Sequence, residues 1–464
     1  MNQTSTVKQR FTFKDFFLIV AVVIIALIPF FGIGVNNKNI ITILSFLLNG
    51  IIFITGMCTS QKKSSVSVEL VYWIFMFFFM YFAPLIQYLS SIYPWRGSFS
   101  NRDIFYINLV VLLFNTFFII GKNSLKRVNK KRITNVDIAA FLCSGFELGK
   151  KSRIIMTTVA FLLAAYSMSQ TGIAGIVVSR VQATQAFYSG GNSAIELVVE
   201  SVIPAFMAYI VAEAAQNVSA KKEKYSRLVF LLICLLVCFF PTSLPRYKTI
   251  TIYGTVLLLV FPGLKKKQRF FWLFILALVF AFPLMNAFRH VISMESMGSV
   301  YEEGFFPVYM DADYDTYRML GSAIRYVRVN GIACGRQLLG VFLFFVPSAI
   351  WRSKPGGSGA LLIRDEFGND VAANVSCPFI GEGYLNFGIP GVIIFGLFLG
   401  FLIKKLDNYY KSVNQEKEYF VFSPYLFTIF LTFFILRGDL LSGFAYLCGF
   451  IATGYIIKII AKYL

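Results

Sequence analysis

Long apolar runs separated by polar connections recur from one end of the chain to the other. They span Phe16–Ile33, Ile40–Met57, Val68–Leu89, Ile104–Gly121, Ile154–Ser169, Ile195–Ala214, Leu228–Ser243, Thr249–Phe261, Phe270–Phe288, Phe379–Ile403, Phe420–Leu436 and Leu441–Ile460. Many approach the ~20 residues that a helix needs to cross a ~30 Å hydrocarbon core. The pattern predicts an all-α, polytopic integral membrane protein with about twelve transmembrane helices, forming a single transmembrane domain over residues 1–464. No small-residue cleavage site follows the first run, which reads as a retained helix.

The connections assign the sides. Lys62 and Lys63, the block Lys122–Arg132 with Lys150–Arg153, Lys221–Arg227, Lys265–Arg269 and Lys404–Lys417 alternate with connections poor in lysine. Basic loops stay in the cytoplasm, so these belong there together with both termini. The apolar run Leu338–Ile350 is about 13 residues long, short of the ~17 needed to cross unaided. A crossing there would move Lys404 and Lys405 to the outer side, so the run is expected to dip into the interface or re-enter. Residues 289–378 then form one large extracytoplasmic loop region, and residues 170–194 a second extracytoplasmic loop.

Composition agrees. Hydrophobic residues make up 57% of the chain and charged residues 14%, and the mean hydropathy of +0.69 is foreign to ordinary soluble domains. The net charge of +20 follows from retention of basic loops and calls for no nucleic acid. On this topology 28 of the 43 basic residues are cytoplasmic, and 12 of the other 15 are arginines. Arginine outside differs from lysine inside, because its planar guanidinium forms paired hydrogen bonds with phosphate and carboxylate. The plainer alternative is that these arginines snorkel or pair with acids such as Asp311, Asp313 and Asp315. A single histidine, His290, argues against a His-based metal centre. The seven cysteines show no CxxC spacing; pairing of Cys334 with Cys377 stays open.

Four outer segments carry candidate chemistry. Arg180 lies among small polar residues in SQTGIAGIVVSRVQATQAFYSGGNSAIE, and Arg246 lies in the Pro-bounded turn PTSLPRYK. An ionisable group so near hydrocarbon is costly without a partner, which makes Arg246 a functional candidate; an interfacial snorkelling arginine is the bland reading. Arg289 and His290 end a helix in FRH, where His290 is either a general base or an interfacial structural residue. Arg325 and Arg328 lie in RYVRVNGIACGR. The last segment, from Pro347 to Gly400, holds WRSKPGGSG and IGEGYLNFGIPG. Trp351 suits interfacial anchoring or stacking on a sugar; Arg352 and Lys354 suit a pyrophosphate, although Walker spacing is absent. Glu382 opens a helix, where the dipole favours a carboxylate, and the same place suits proton abstraction from a sugar hydroxyl. Tyr384 and Asn386 suit carbohydrate contact.

WRSKPGGSGALLI, NVSCPFIGEGYLNFGIPGVIIFGLFLGFLIKKLD, SRVQATQAFYSGGNSAI and the PRYK and FRH segments together resemble Wzy-type oligosaccharide repeat-unit polymerases of O-antigen and capsule biosynthesis. The resemblance covers most of the chain and is weaker before residue 150. It implies transfer of a glycan from undecaprenyl pyrophosphate onto a second lipid-linked repeat unit, at the outer face of the bacterial inner or plasma membrane. It implies neither cofactor, metal nor nucleotide sugar, and it implies important arginines in the outer loops. Its partners would be the undecaprenyl-pyrophosphate-linked donor and acceptor, the lipid bilayer, and a chain-length regulator and a flippase. Arg180, Arg246, Arg289, Arg352 and Lys354 are then expected to hold the diphosphate, with Arg325, Arg328, Trp351, Tyr384 and Asn386 as further substrate contacts. Glu382, or failing that His290, removes the acceptor proton. A flippase for the same lipids, an O-antigen ligase and a structural scaffold are the competing readings.

Overall fold

The computed structural model describes residues 13–35, 37–95, 97–124, 148–171, 193–241, 244, 246–266, 268–281, 306–347, 349–368, 375–414 and 424–463. All regular structure among them is helical: α1 (Phe13–Ile33), α2 (Ile40–Lys63), α3 (Val68–Phe77), α4 (Ala83–Ser90), α5 (Asn101–Ser124), α6 (Lys150–Thr171), α7 (Ser193–Ser219), α8 (Tyr225–Cys238), α9 (Arg246–Val260), α10 (Arg269–Leu276), α11 (Thr316–Asn330), α12 (Arg336–Phe342), α13 (Ser358–Phe367), α14 (Phe379–Asn414), α15 (Pro424–Arg437) and α16 (Leu440–Tyr463). Seven of the described helical stretches are long and apolar enough to cross a bilayer, accompanied by four shorter apolar ones. The protein is a polytopic helical membrane protein.

The centre of the bundle is the α3–α4 rod, joined through a π-helical turn at Phe78–Phe82. Between Glu69 and Gln87 near its ends its sequence is apolar on every side (VELVYWIFMFFFMYFAPLIQYLS), and a helix of that kind must be surrounded. The whole span is buried inside the protein. The rod's end is sealed by a cap: Gln87 Nε2 donates to the carbonyls of Tyr309 at 2.8 Å and Tyr314 at 3.0 Å.

α5 and α14 pack backbone to backbone. Cβ atoms at Gly121 and Gly400 would overlap the carbonyl oxygens of Leu397 and Phe118, and one at Gly396 would come within 2.7 Å of the Phe114 oxygen. Small residues at this spacing let two membrane helices approach closely. At one end of the bundle, Lys122 pairs with Glu69 at 2.7 Å. There Asp407 accepts from the backbone of Val68 and Glu69 and from the Tyr425 hydroxyl.

One sequence expectation changes. Phe379–Ile403 is not one straight helix, because α14 bends at Gly388 (φ 64°, ψ −143°). Gly391 meets the Gly383 carbonyl, and the rings of Phe379 and Phe395 lie 4.9 Å apart. A continuous helix would separate those ring-bearing residues by ~24 Å. Residues 379–387 therefore fold back along the rest of α14 as a helical hairpin. The loop after α11 and the first turn of α12 clasp its tip: Ala333 N donates to Leu385 O at 2.9 Å and Leu338 N to Asn386 Oδ1 at 3.3 Å. Leu338–Ile350 contains a short helix, α12, followed by turns.

Candidate functional site

The fold-back of α14 brings Glu382 against Ser358 at the start of α13 and Leu440 at the start of α16. Phe379 at its start lies 6.4 Å, ring to ring, from Phe114, which is roughly 20 Å along α5 from Asn101 at ~1.5 Å per residue. Glu382, one turn further on, is 0% exposed. Its Oε2 accepts from Ser358 Oγ at 2.8 Å, and its Oε1 accepts from Leu440 N at 3.3 Å.

Asp439, in the α15–α16 turn, completes the arrangement. Its Oδ1 accepts from Leu441 N at 2.9 Å and its Oδ2 from Gly359 N at 3.1 Å. The two carboxylates thus cap the N-terminal turns of α13 and α16 and share the Ser358–Gly359 step. Asp439 is partly exposed whereas Glu382 is not. Burial pushes the Asp439 carboxyl up, against the opposing effect of backbone N–H groups from Gly359, Leu441, Ser442 and Ser358. Cys377, free and buried beside them, has its thiol pushed well up by burial and by the charges of Glu382, Asp439 and Asp315. Cys334 is also free.

The local sequence is built for this close approach. A Cβ at Gly357 would overlap Asp439 Oδ2, and one at Gly359 would overlap the Val375 carbonyl. The glycines of PGGSG let the loop slide between carboxylate and backbone, and no phosphate is needed to explain them.

A second layer covers this pair. Ser376 Oγ donates to Asp315 Oδ1 at 2.5 Å, and Trp95 Nε1 donates to Asp315 Oδ2 at 2.9 Å. Burial raises the Asp315 carboxyl, opposed first by Arg437. Arg318, buried between the rings of Phe99 and Phe367, grips Glu366 through two nitrogens at 2.6 and 2.7 Å.

The predicted residues divide accordingly. Arg325 pairs with Glu366 at 3.0 Å and Arg328 with Asp103 at 3.2 Å, so both make the acid contacts of the plainer alternative, though with acids other than those foreseen. Lys354 Nζ donates to the carbonyls of Phe344 at 2.6 Å and Val346 at 2.9 Å, closing a loop. Trp351 donates to Ser353 Oγ, and Arg352 is exposed. Tyr384 is buried with its hydroxyl 3.1 Å from that of Tyr106. Asn386 is 0% exposed and donates to the Glu382 carbonyl at 2.9 Å while accepting from Leu338; it holds the hairpin and faces no solvent. Arg180, Arg289 and His290 lie outside the described residues, as do the side chain of Arg246 and nearly all of the loop 170–194.

Residues 362–464 match the family model for the O-antigen polysaccharide polymerase Wzy. The match supports a Wzy-type polymerase. It contains both Glu382 and Asp439 and starts inside α13. No curated protein and no solved structure matches the chain. Asp439 escaped the sequence reading. The signal for it was an acid set between two apolar runs in RGDLL, the same kind of position that drew attention to Arg246.

Proposed function

We propose that the protein polymerises undecaprenyl-pyrophosphate-linked oligosaccharide repeat units into O-antigen or capsular polysaccharide at the extracytoplasmic face of the membrane. The observation that carries this reading is the Wzy match over residues 362–464, the stretch that supplies both carboxylates and the helix α16 that they cap.

The reaction joins an acceptor hydroxyl oxygen to the anomeric carbon of the donor glycan, and the bond from that carbon to the diphosphate oxygen breaks. The hydroxyl proton passes to the Glu382–Asp439 pair. Asp439, the partly exposed member, faces the acceptor, and Glu382 behind it holds the electrostatic balance through Ser358. His290 is the alternative acceptor of that proton. Outer cations Arg180, Arg246 and Arg289 stabilise the departing diphosphate, typically the largest single contribution in such transfers. Lys354 adds its charge nearby while its ammonium closes the loop.

Purified protein in proteoliposomes, supplied with lipid-linked repeat units, is expected to produce ladders of lengthening chains. Wild-type protein that yields only single units overturns the reading. A flippase moves the units without lengthening them, and a ligase transfers finished polymer only to a different acceptor. Normal ladders from both Arg246→Ala and Arg289→Ala would remove the diphosphate clamp from the mechanism.

A further inference from the structure

The segment from Arg336 to Lys354 is closed at its base and open at its edge. Arg336 Nη2 donates to Ser353 O at 3.2 Å, joining the two ends. Lys354 holds the turn from inside through the Phe344 and Val346 carbonyls, and Pro355 packs where a Cβ at Gly340 would lie, 2.5 Å away. These contacts make the segment a fixed projection.

One side packs on the bundle. The rings of Phe342 and Phe344 lie 5.6 and 6.1 Å from Phe444, in the second turn of α16. α16 is a candidate membrane span, so the projection sits level with the beginning of a span. Much of its apolar surface is bare: Leu339 is 50% exposed, Phe345 66% and Ile350 79%, and Phe342, despite its contact with Phe444, remains 57% exposed. Several exposed apolar side chains of this size on one short segment mark an interaction surface. Exposed guanidinium groups, Arg336 and Arg352, flank them, and Trp351 stands beside Arg352. Apolar edge, indole and cations follow the layering of hydrocarbon, carbonyl zone and phosphate.

We propose that this stapled loop inserts Leu339, Phe342, Phe345 and Ile350 into the leaflet beside α16, with Arg336 and Arg352 on lipid phosphates. The occupant is bilayer lipid, chosen by the match of cations to phosphate and by the level of Phe444. The loop's C-terminal end leads within a few residues to Ser358, so its insertion ties the carboxylate site to the headgroup layer. A lipid-borne substrate would then reach the site without leaving its leaflet. The insertion itself is independent of the polymerase reading.

The test uses full-length protein in vesicles of phosphatidylethanolamine and phosphatidylglycerol, in a Cys334→Ser background. Nitroxide labels are placed one at a time through Phe345→Cys, Ile350→Cys and, as an exposed polar control on α13, Arg364→Cys. Labels at 345 and 350 are expected to collide more with dissolved oxygen than with a water-soluble nickel chelate, and the label at 364 the reverse. Adding Arg352→Gln, which leaves the Arg336–Ser353 closure intact, is expected to move both loop labels toward the nickel reagent. Loop labels as open to nickel as the control overturn the proposal. So do labels shielded from both reagents, which means that a protein surface or second copy covers the edge. Loop labels unmoved by Arg352→Gln remove the phosphates from it. No sugar substrate enters the measurement, so its failure is separate from failure of the polymerase assay.

Discussion

Gly383 and Gly391 meet face to face across the bend at Gly388, each too small to hold the other's backbone away. That contact turns an apolar run that reads as one membrane helix into a hairpin, and it sets Glu382 inside the bundle. Gly388 adopts φ 64° and ψ −143°, a conformation that costs a side-chain-bearing residue ~1–3 kcal/mol. Gly388→Ala is expected to lower stability by about that amount. Gly391→Ala, whose Cβ meets backbone, is expected to do worse. Thermal unfolding of detergent-solubilised protein checks both, and an unchanged midpoint for Gly391→Ala would contradict the hairpin.

The carboxylate pair gives an activity prediction. Glu382→Gln keeps the shape and the Ser358 hydrogen bond but removes the charge. It is expected to slow polymerisation by ~10²-fold or more, in line with loss of a general acid–base group. Asp439→Asn is expected to slow it similarly, and the double variant to fall little further, because the two act on one proton. Ladder formation at fixed protein concentration reads all three. Additive losses would mean that the two acids work separately.

Much of this was legible in sequence because hydrocarbon imposes a length rule. The run Val68–Leu89 appears as a continuous helical rod over Val68–Ser90. The bend in α14 was not legible, since GIPG sits in an unbroken apolar run and tolerance of Gly and Pro in membrane helices is common. Pro390 was nonetheless a signal: a proline just inside a helix start marks a new helix as readily as a kink. Arg325 and Arg328 were assigned to substrate by residue type. Their partners Glu366 and Asp103 stand 41 and 225 residues away, pairings that only the fold creates. Asp439 was missed for the same reason, because its partner Gly359 is 80 residues away in sequence.

The Arg318–Glu366 pair gives a pH dependence with a definite sign. Burial alone would raise the Glu366 carboxyl, but hydrogen bonding and charge from Arg318, with Ser322 and Arg325, hold it below the usual range. A depressed carboxyl contributes stability above its unfolded pKa of ~4.3 and loses it as pH falls through the folded value. The cap is therefore expected to loosen below about pH 4.3. Glu366→Gln is expected to be less stable at neutral pH and to have a flatter acid limb. Thermal unfolding from pH 7 down to pH 3 measures this; parallel acid limbs for the two proteins would mean that Glu366 is not the titrating group.

The three glycines of PGGSG make a graded test of the site. Nothing lies within 4 Å of a Cβ at Gly356, a Cβ at Gly357 would first meet the Asp439 carboxylate and one at Gly359 would meet the Val375 backbone. Gly356→Ala is expected to leave both stability and ladder formation unchanged. At Gly357 the carboxylate can swing aside, so Gly357→Ala is expected to fold with a near-normal unfolding midpoint yet polymerise at least ~10-fold more slowly, as even small displacement of a reacting group is costly. Gly359→Ala cannot be accommodated by a side-chain movement and is expected to lower the midpoint as well, by the ~1–3 kcal/mol typical of overpacking. The decisive comparison is Gly357→Ala against Gly356→Ala. Equal activity in the two would show that the position of Asp439 does not matter to the reaction, and the carboxylate pair would be structural caps and nothing more.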